Sequence, residues 1–162
     1  MAVTKSTYAT AASATITLTS LADGNWRQSA VVDNTSNLYL DAWLGGSIQV
    51  GTSPTDGNTI SIYLYGTYDG TNYTAGASGT DLAYTADGEE TLLRLADVIT
   101  VDATSDQDYV WGPVSVSSVF GNSPPGIPSK WGVVVKNDSG AALNATGTNN
   151  EVQFVGLTLT TA

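Results

Sequence analysis

The stretch "TISIYLYGTY" (residues 59–68) decides the reading of the fold. Ile60, Ile62 and Leu64 recur every second residue, and Tyr63 and Tyr65 fall on the opposite face. Period-two alternation of this kind is the pattern of a β-strand with one face on a core. The tyrosine face is left to solvent, a second layer or a partner. "DGTN" (69–72) after it reads as a hairpin turn.

The same period recurs along the chain. "ATITLTS" (14–20) sets Ile16 and Leu18 against threonines, and "RQSAVVD" (27–33) is a shorter apolar run. "LYLDAWLGG" (38–46) alternates Leu38, Leu40, Ala42 and Leu44 with Tyr39, Asp41 and Trp43. "SIQV" continues it past Gly45–Gly46, a pair that suits a bulge. "GTDLAYTADGEE" (79–90) reads as a long mobile connection. "ETLLRLADVITV" (90–101) reads as strand rather than helix, because Ile99, Thr100 and Val101 are β-branched. "YVWGPVSVSSV" (109–119) puts Val110, Val114 and Val116 on one face, and Pro113 implies a sheet edge. "EVQFVGLTLTT" (151–161) shifts its apolar phase at Val155, which predicts a bulge near Gly156.

About eight to ten short strands separated by turns imply an all-β fold: a single antiparallel β-sandwich, jelly-roll-like, over residues 14–162. Residues 1–13 lack strong alternation and read as an extended N-terminal arm. "SPPGIPSKWGVVVKND" (123–138) holds three of the five prolines, then Trp131 and three valines. The prolines stop a strand and protect an edge. The consecutive valines imply burial on both faces.

Composition narrows function. The 162 residues include 23 threonines but no Cys and no His, and the net charge is −10. Charged residues make up 12%, about half the usual share of ~25%. No basic cluster is present, so nucleic acid is not a partner. No run approaches the ~20 apolar residues of a membrane helix, so membrane is not one either. Neither a Ser–His–Asp arrangement nor a thiolate zinc site can be built. Glu89 with Glu90 are the candidate acid pair, but fit a solvated turn better. Asp102, Asp106 and Asp108 could attract calcium, although their spacing does not match an EF-hand. Neither pair nor loop warrants a catalytic, metal or cofactor assignment. Trp26, Trp43, Trp111 and Trp131 suit core or interface positions better than a sugar platform.

Three segments carry a family resemblance: residues 25–55, residues 60–76 and "GIPSKWGVVVKNDSGAAL" (126–143). Their most specific parts are "VDNTSNLYLDA" (32–42) and "PSKWGVVVKNDSG" (128–140). The chain resembles a group of tailed-bacteriophage virion structural proteins. The resemblance implies a virion component without enzymatic activity, made in the host bacterial cytoplasm. Its size and acidity suit a capsid decoration, or cement, protein. Such a protein binds the major capsid protein on the outer shell surface as a homotrimer. The alternative is a carbohydrate-binding β-sandwich of a phage tail or spike, motivated by the aromatic content and "YDGTNYTAG" (68–76). The expected partner contacts are Val3, Lys5 and Tyr8 of the arm and Pro124, Pro125, Ile127 and Pro128 of the proline loop. Ile127 is the expected anchor. The arm is expected to gain order by adding backbone hydrogen bonds to a neighbour.

Overall fold

A computed structural model describes residues 4–121 and 126–161. The strands are β1 (Thr4–Tyr8), β2 (Ala12–Ser13), β3 (Trp26–Gln28), β4 (Val32–Asp33), β5 (Asp41–Gln49) and β6 (Thr59–Thr67), then β7 (Leu82–Ala83), β8 (Arg94–Thr100), β9 (Asp108–Ser115), β10 (Lys130–Asp138) and β11 (Glu151–Thr161). Two short helices, α1 (Asn34–Asn37) and α2 (Val116–Val119), interrupt them. The protein is all-β, with two antiparallel sheets. One has the order β1-β11-β5-β9, with β2 also on β11. The other has the order β7-β3-β10-β6-β8, with β4 also on β10.

Both sheets supply one main core. Ala42, Leu44 and Ile48 of β5 and Phe154 of β11 come from the first sheet. Ile60, Ile62 and Leu64 of β6 and Trp131, Val133 and Val135 of β10 come from the second. The Trp131 and Phe154 rings meet edge to face across the gap, with centroids 5.4 Å apart. Fully burying one such aliphatic side chain is worth about 1.5–3 kcal/mol.

The tyrosine face of β6 meets a second layer. Tyr65 is fully buried with Val134, Tyr84, Ala75 and Leu93, while Trp26 and Tyr63 pack at the margin. The connection from residue 68 to 93 folds over this face, so the segment read as a mobile link contains buried Tyr84 and strand β7. β10 is therefore buried on both faces, as its valines imply. Tyr65 donates to the Ser29 carbonyl at 2.6 Å. Its burial pushes the hydroxyl's pKa well above the usual value.

Several local expectations change. Residues 14–20 form no strand, although Ala14 and Leu18 are buried. β6 is followed by no hairpin; its ladder partners are β10 and β8. Instead, the Asp69 carboxylate gathers the turn, accepting from Thr67 Oγ1 and the Thr71 and Asn72 amides at 2.7–2.8 Å. Leu38 and Leu40 precede the strand and are exposed. Before them, Asp33 caps α1 by accepting from the Thr35 amide, and buried Asn34 ties down Tyr39 through both amide atoms. β9 is an edge strand, but its phase differs from the reading. A register shift opposite Gly45 turns Trp111 inward and leaves Val110 85% exposed. No bulge occurs at Gly156, since β11 runs in continuous register on β5 from Glu151 to Leu157. That glycine makes room for the Tyr39 ring, which any Cβ would overlap.

Gly132 has the same role against Tyr65. Gly132→Ala is expected to lower unfolding free energy by about 1–3 kcal/mol through overpacking. Tyr65→Phe leaves a buried carbonyl without its donor and is expected to cost about 1–3 kcal/mol. Urea titration followed by tryptophan fluorescence measures both.

Candidate interaction surface

β1 and β2 fall within the arm of the sequence reading, residues 1–13, and both pair with β11 of their own chain. Thr4 to Tyr8 pair in order with Thr161 to Leu157 of β11. The backbone bonds expected for a neighbour are made internally along one edge of β1. All five β1 residues are nevertheless exposed, Lys5 and Tyr8 among them.

The pairing beyond the core makes a projecting ribbon. β5 starts at Asp41 opposite Leu157, so it does not accompany β11 further. The Leu40 amide, donating to the Leu157 carbonyl at 2.8 Å, is the last bond on that side among the described residues. Past this point, among the described residues, β11 pairs only with β1.

The outward face of this sheet is apolar toward the ribbon, while Glu151 and Gln153 occupy its other end. Side chains alternate along β11, so Val155, Leu157 and Leu159 lie opposite the core-facing Val152 and Phe154. Directly paired residues share a face. Val155 pairs with Trp43, and Leu157 with Tyr8. Trp43, Val155, Leu157, Tyr8 and Leu159 thus form one stripe running from the sheet onto the ribbon. Tyr8 is 63% exposed, Leu159 56% and Trp43 41%. A shallow pocket of about 210 Å³, lined by Trp43, Val155, Pro113 and Ala11, continues it at the sheet end.

The charges follow the same division. Residues 4–8 and 157–161 contain no carboxylate and one lysine, in a chain of net charge −10. Asp41 borders the stripe, but its oxygens accept from Ser115 Oγ at 2.7 Å and the Ser117 amide at 2.9 Å. The other ribbon face carries a threonine ladder, with Thr7 and Thr160 hydroxyls 3.0 Å apart.

Of the proline-loop contacts, Ile127 and Pro128 do not join this surface. Ile127 is only 2% exposed and belongs to the main core, so it is no exposed anchor. Pro128 is buried against Gly66. The cause is local tethering: the Ser129 carbonyl accepts from the Asn34 amide, and Ser129 Oγ donates to the Thr67 carbonyl. These bonds turn the neighbouring apolar side chains inward. Val3, Pro124 and Pro125 lie outside the described residues.

The remaining chemical candidates stay dispersed. Asp102 accepts from the Thr104 amide, and Asp106 from the Asn144 amide group. Among the described residues, no three acidic, His or Cys side chains gather closely enough to hold a metal. Glu90 accepts from the Gly88 amide and closes its own turn. Trp111 and Trp131 are buried, and their indole nitrogens have no hydrogen-bond partner among the described residues. The Trp26 ring stacks on Tyr63 at 5.6 Å, with Lys136 Nζ 5.0 Å from its centroid.

A broad open cleft of about 600 Å³ lies beside Trp26, walled by residues 17–27 and 83–86. Its Arg27 is paired with Asp81 at 2.7 Å. Burial opposes ionisation of Asp81, but hydrogen bonds from Arg27 and Thr17 outweigh it and hold its carboxyl below the usual range. Among the described residues no helix is long and apolar enough to cross a membrane. Comparison with protein-family models, curated proteins and solved structures found no match to this chain.

The stripe had a sequence signal. The phase change at Val155 reflects an apolar strand with both faces occupied, one by core and one exposed. Tyr8 had no such signal, because its face depends on its partner across the ladder.

The "YDGTNYTAG" loop is organised by Asp69, whose carboxyl is held well below its usual value, first by the Thr67 hydroxyl and then by the Thr71 and Asn72 donors. A depressed carboxyl contributes order above its unfolded pKa of ~3.9, and that contribution is lost as pH falls through the folded value. Protection of the Thr71 and Asn72 amides, taken relative to their intrinsic exchange rates at each pH, is therefore expected to persist below pH ~4. Asp69→Ala should make both amides exchange fast at neutral pH.

Proposed function

We propose that this chain is a non-enzymatic bacteriophage virion protein that decorates the capsid. In this reading it is a jelly-roll-like β-sandwich, made in the bacterial cytoplasm and bound to the major capsid protein on the outer shell. The single observation that supports the reading best is the apolar stripe on a carboxylate-free ribbon. Contiguous exposed apolar surface marks interaction sites in soluble proteins. A protein this acidic, with few charges to pair, binds a large rigid surface better through flat apolar contact than through ion pairs. The family resemblance supplies the kind of surface. Tyr8 keeps its expected contact role in this reading, joined by Trp43, Leu157 and Leu159, whereas Lys5 pairs with Thr160 and lies on the opposite, threonine face of the ribbon.

Co-sedimentation with shells of the encoding phage, stripped of this protein, tests the reading. Tyr8→Ser combined with Leu159→Ser is expected to weaken binding at least tenfold, the scale of ~1.4 kcal/mol. Both side chains are mostly exposed, so the melting temperature should stay nearly unchanged. Equal shell binding by parent and variant would remove the stripe from the mechanism. Absence of binding by the parent would overturn the decoration reading.

The open cleft supports a second reading, a carbohydrate-binding tail or spike module. Thr19, Ser20, Asn25 and Thr85 line it, and their side chains make no hydrogen bonds among the described residues. Its size falls in the usual ligand-site range of roughly 300–1,000 Å³. Sugar-dependent quenching on a glycan panel, abolished by Trp26→Ala, would favour this reading over decoration.

A further inference from the structure

We propose that β1 is a self-pairing edge, and that two copies of the chain join there as a two-fold dimer. The inference deepens the decoration reading by naming a partner for the ribbon. It stands on the ladder phase of β1, on its open edge and on the distribution of charge.

The phase decides which residues can pair outward. The Ala9 amide donates to the Gly156 carbonyl at 2.8 Å. Bonds alternate along an antiparallel ladder, so Thr7 and Lys5 also turn their backbone groups toward β11. The hydroxyls of Thr158 and Thr160 lie against the Thr7 and Lys5 carbonyls, at 3.3 and 3.4 Å. Thr4, Ser6 and Tyr8 therefore turn their N–H and C=O groups to the open side. Among the described residues β1 has no strand on that side.

Natural edges are commonly blunted by prolines, bulges or charges. Residues 4–8 have no proline, and their ladder with β11 has no register shift. Their one charge is Lys5.

The distribution of charge admits a second copy as the occupant, because the edge carries no carboxylate to repel its own copy. Most approaches between two chains of net charge −10 set carboxylate against carboxylate. Residues 4–8 contain none, and neither do residues 157–161 behind them. Antiparallel pairing centred on Ser6 places Ser6 opposite Ser6 and Thr4 opposite Tyr8. It also places Lys5 opposite Thr7, so the two lysines do not face each other. Thr4, Ser6 and Tyr8 are the residues whose backbone groups point outward, so phase favours this register and charge does not oppose it. The two-fold axis then runs perpendicular to the sheet. Both apolar stripes emerge on one side, as a continuous face twice as wide. This closure is two-fold, whereas the family resemblance implies three-fold.

The test uses the purified full chain without shells, so its failure is separate from failure of shell binding. Sedimentation velocity over a concentration series is expected to show a dimer of twice the 16.7 kDa chain mass. The chain has no cysteine, so single cysteines report the register. Ser6→Cys places two thiol-bearing residues about 5.5 Å apart between Cα atoms, within disulfide range. Oxidation should give a covalent dimer. Thr7→Cys places them about 8 Å apart, beyond that range, and should not. Ser6→Pro removes an outward N–H and should leave a folded monomer. A parent that stays monomeric throughout, a trimer, or equal cross-linking through Cys at 6 and 7 would each overturn the proposal.

Discussion

The fold depends on burying β10 from both sides. Val133 and Val135 enter the core between the sheets, while Val134 enters the smaller cluster behind. A strand with no polar face needs two covers. The opposite sheet supplies one, with Phe154 set against Trp131. The connection over residues 68–93 supplies the other, bringing Tyr84, Ala75 and Leu93 over Tyr65. This explains why a segment that looks like a loop carries buried aromatic side chains. Buried polar groups along β10 are satisfied in the same way. Asn137 donates to the Leu21 and Ala141 carbonyls, and the Val133 amide donates to Ser29 Oγ.

The two sheets consequently differ in what they offer to partners. The sheet around β10 hides most of its outer face beneath that connection. Among the described residues the sheet around β11 has no comparable cover, and its outer face carries Trp43, Leu157, Tyr8 and Leu159. The β1–β11 ribbon extends this face beyond the core. Exposed apolar side chains on a projecting two-stranded ribbon add little to folding but provide area for association. Few charges and a strongly negative net charge favour the same division.

Much of this was legible in the residues. Ile60, Ile62 and Leu64 specified the core face of β6. The valine run specified a doubly buried strand, Gly45 a bulge and Pro113 an edge. These features depend on side-chain alternation or on backbone chemistry within a few residues, and such information is local. Ile127 was misread for the converse reason. Between turn-forming neighbours it looks exposed, but Ser129 is tethered to Asn34 and Thr67, far away in sequence, and the tether turns Ile127 inward. Val110 was misread because a two-against-one register shift reverses the phase of its strand.

The sequence by itself determined the all-β class, most of the strands and the exclusion of His- or Cys-based chemistry, because composition and period-two patterning suffice for those. Only the tertiary structure decided where each outward face points. It placed the tyrosine face of β6 under a second layer, the arm on β11, and Tyr8 in line with Leu157 and Trp43. The physical reason is that a strand's pattern distinguishes its two faces but cannot say what covers either. That depends on partners brought together by ladders spanning most of the chain, as when Thr4 pairs with Thr161.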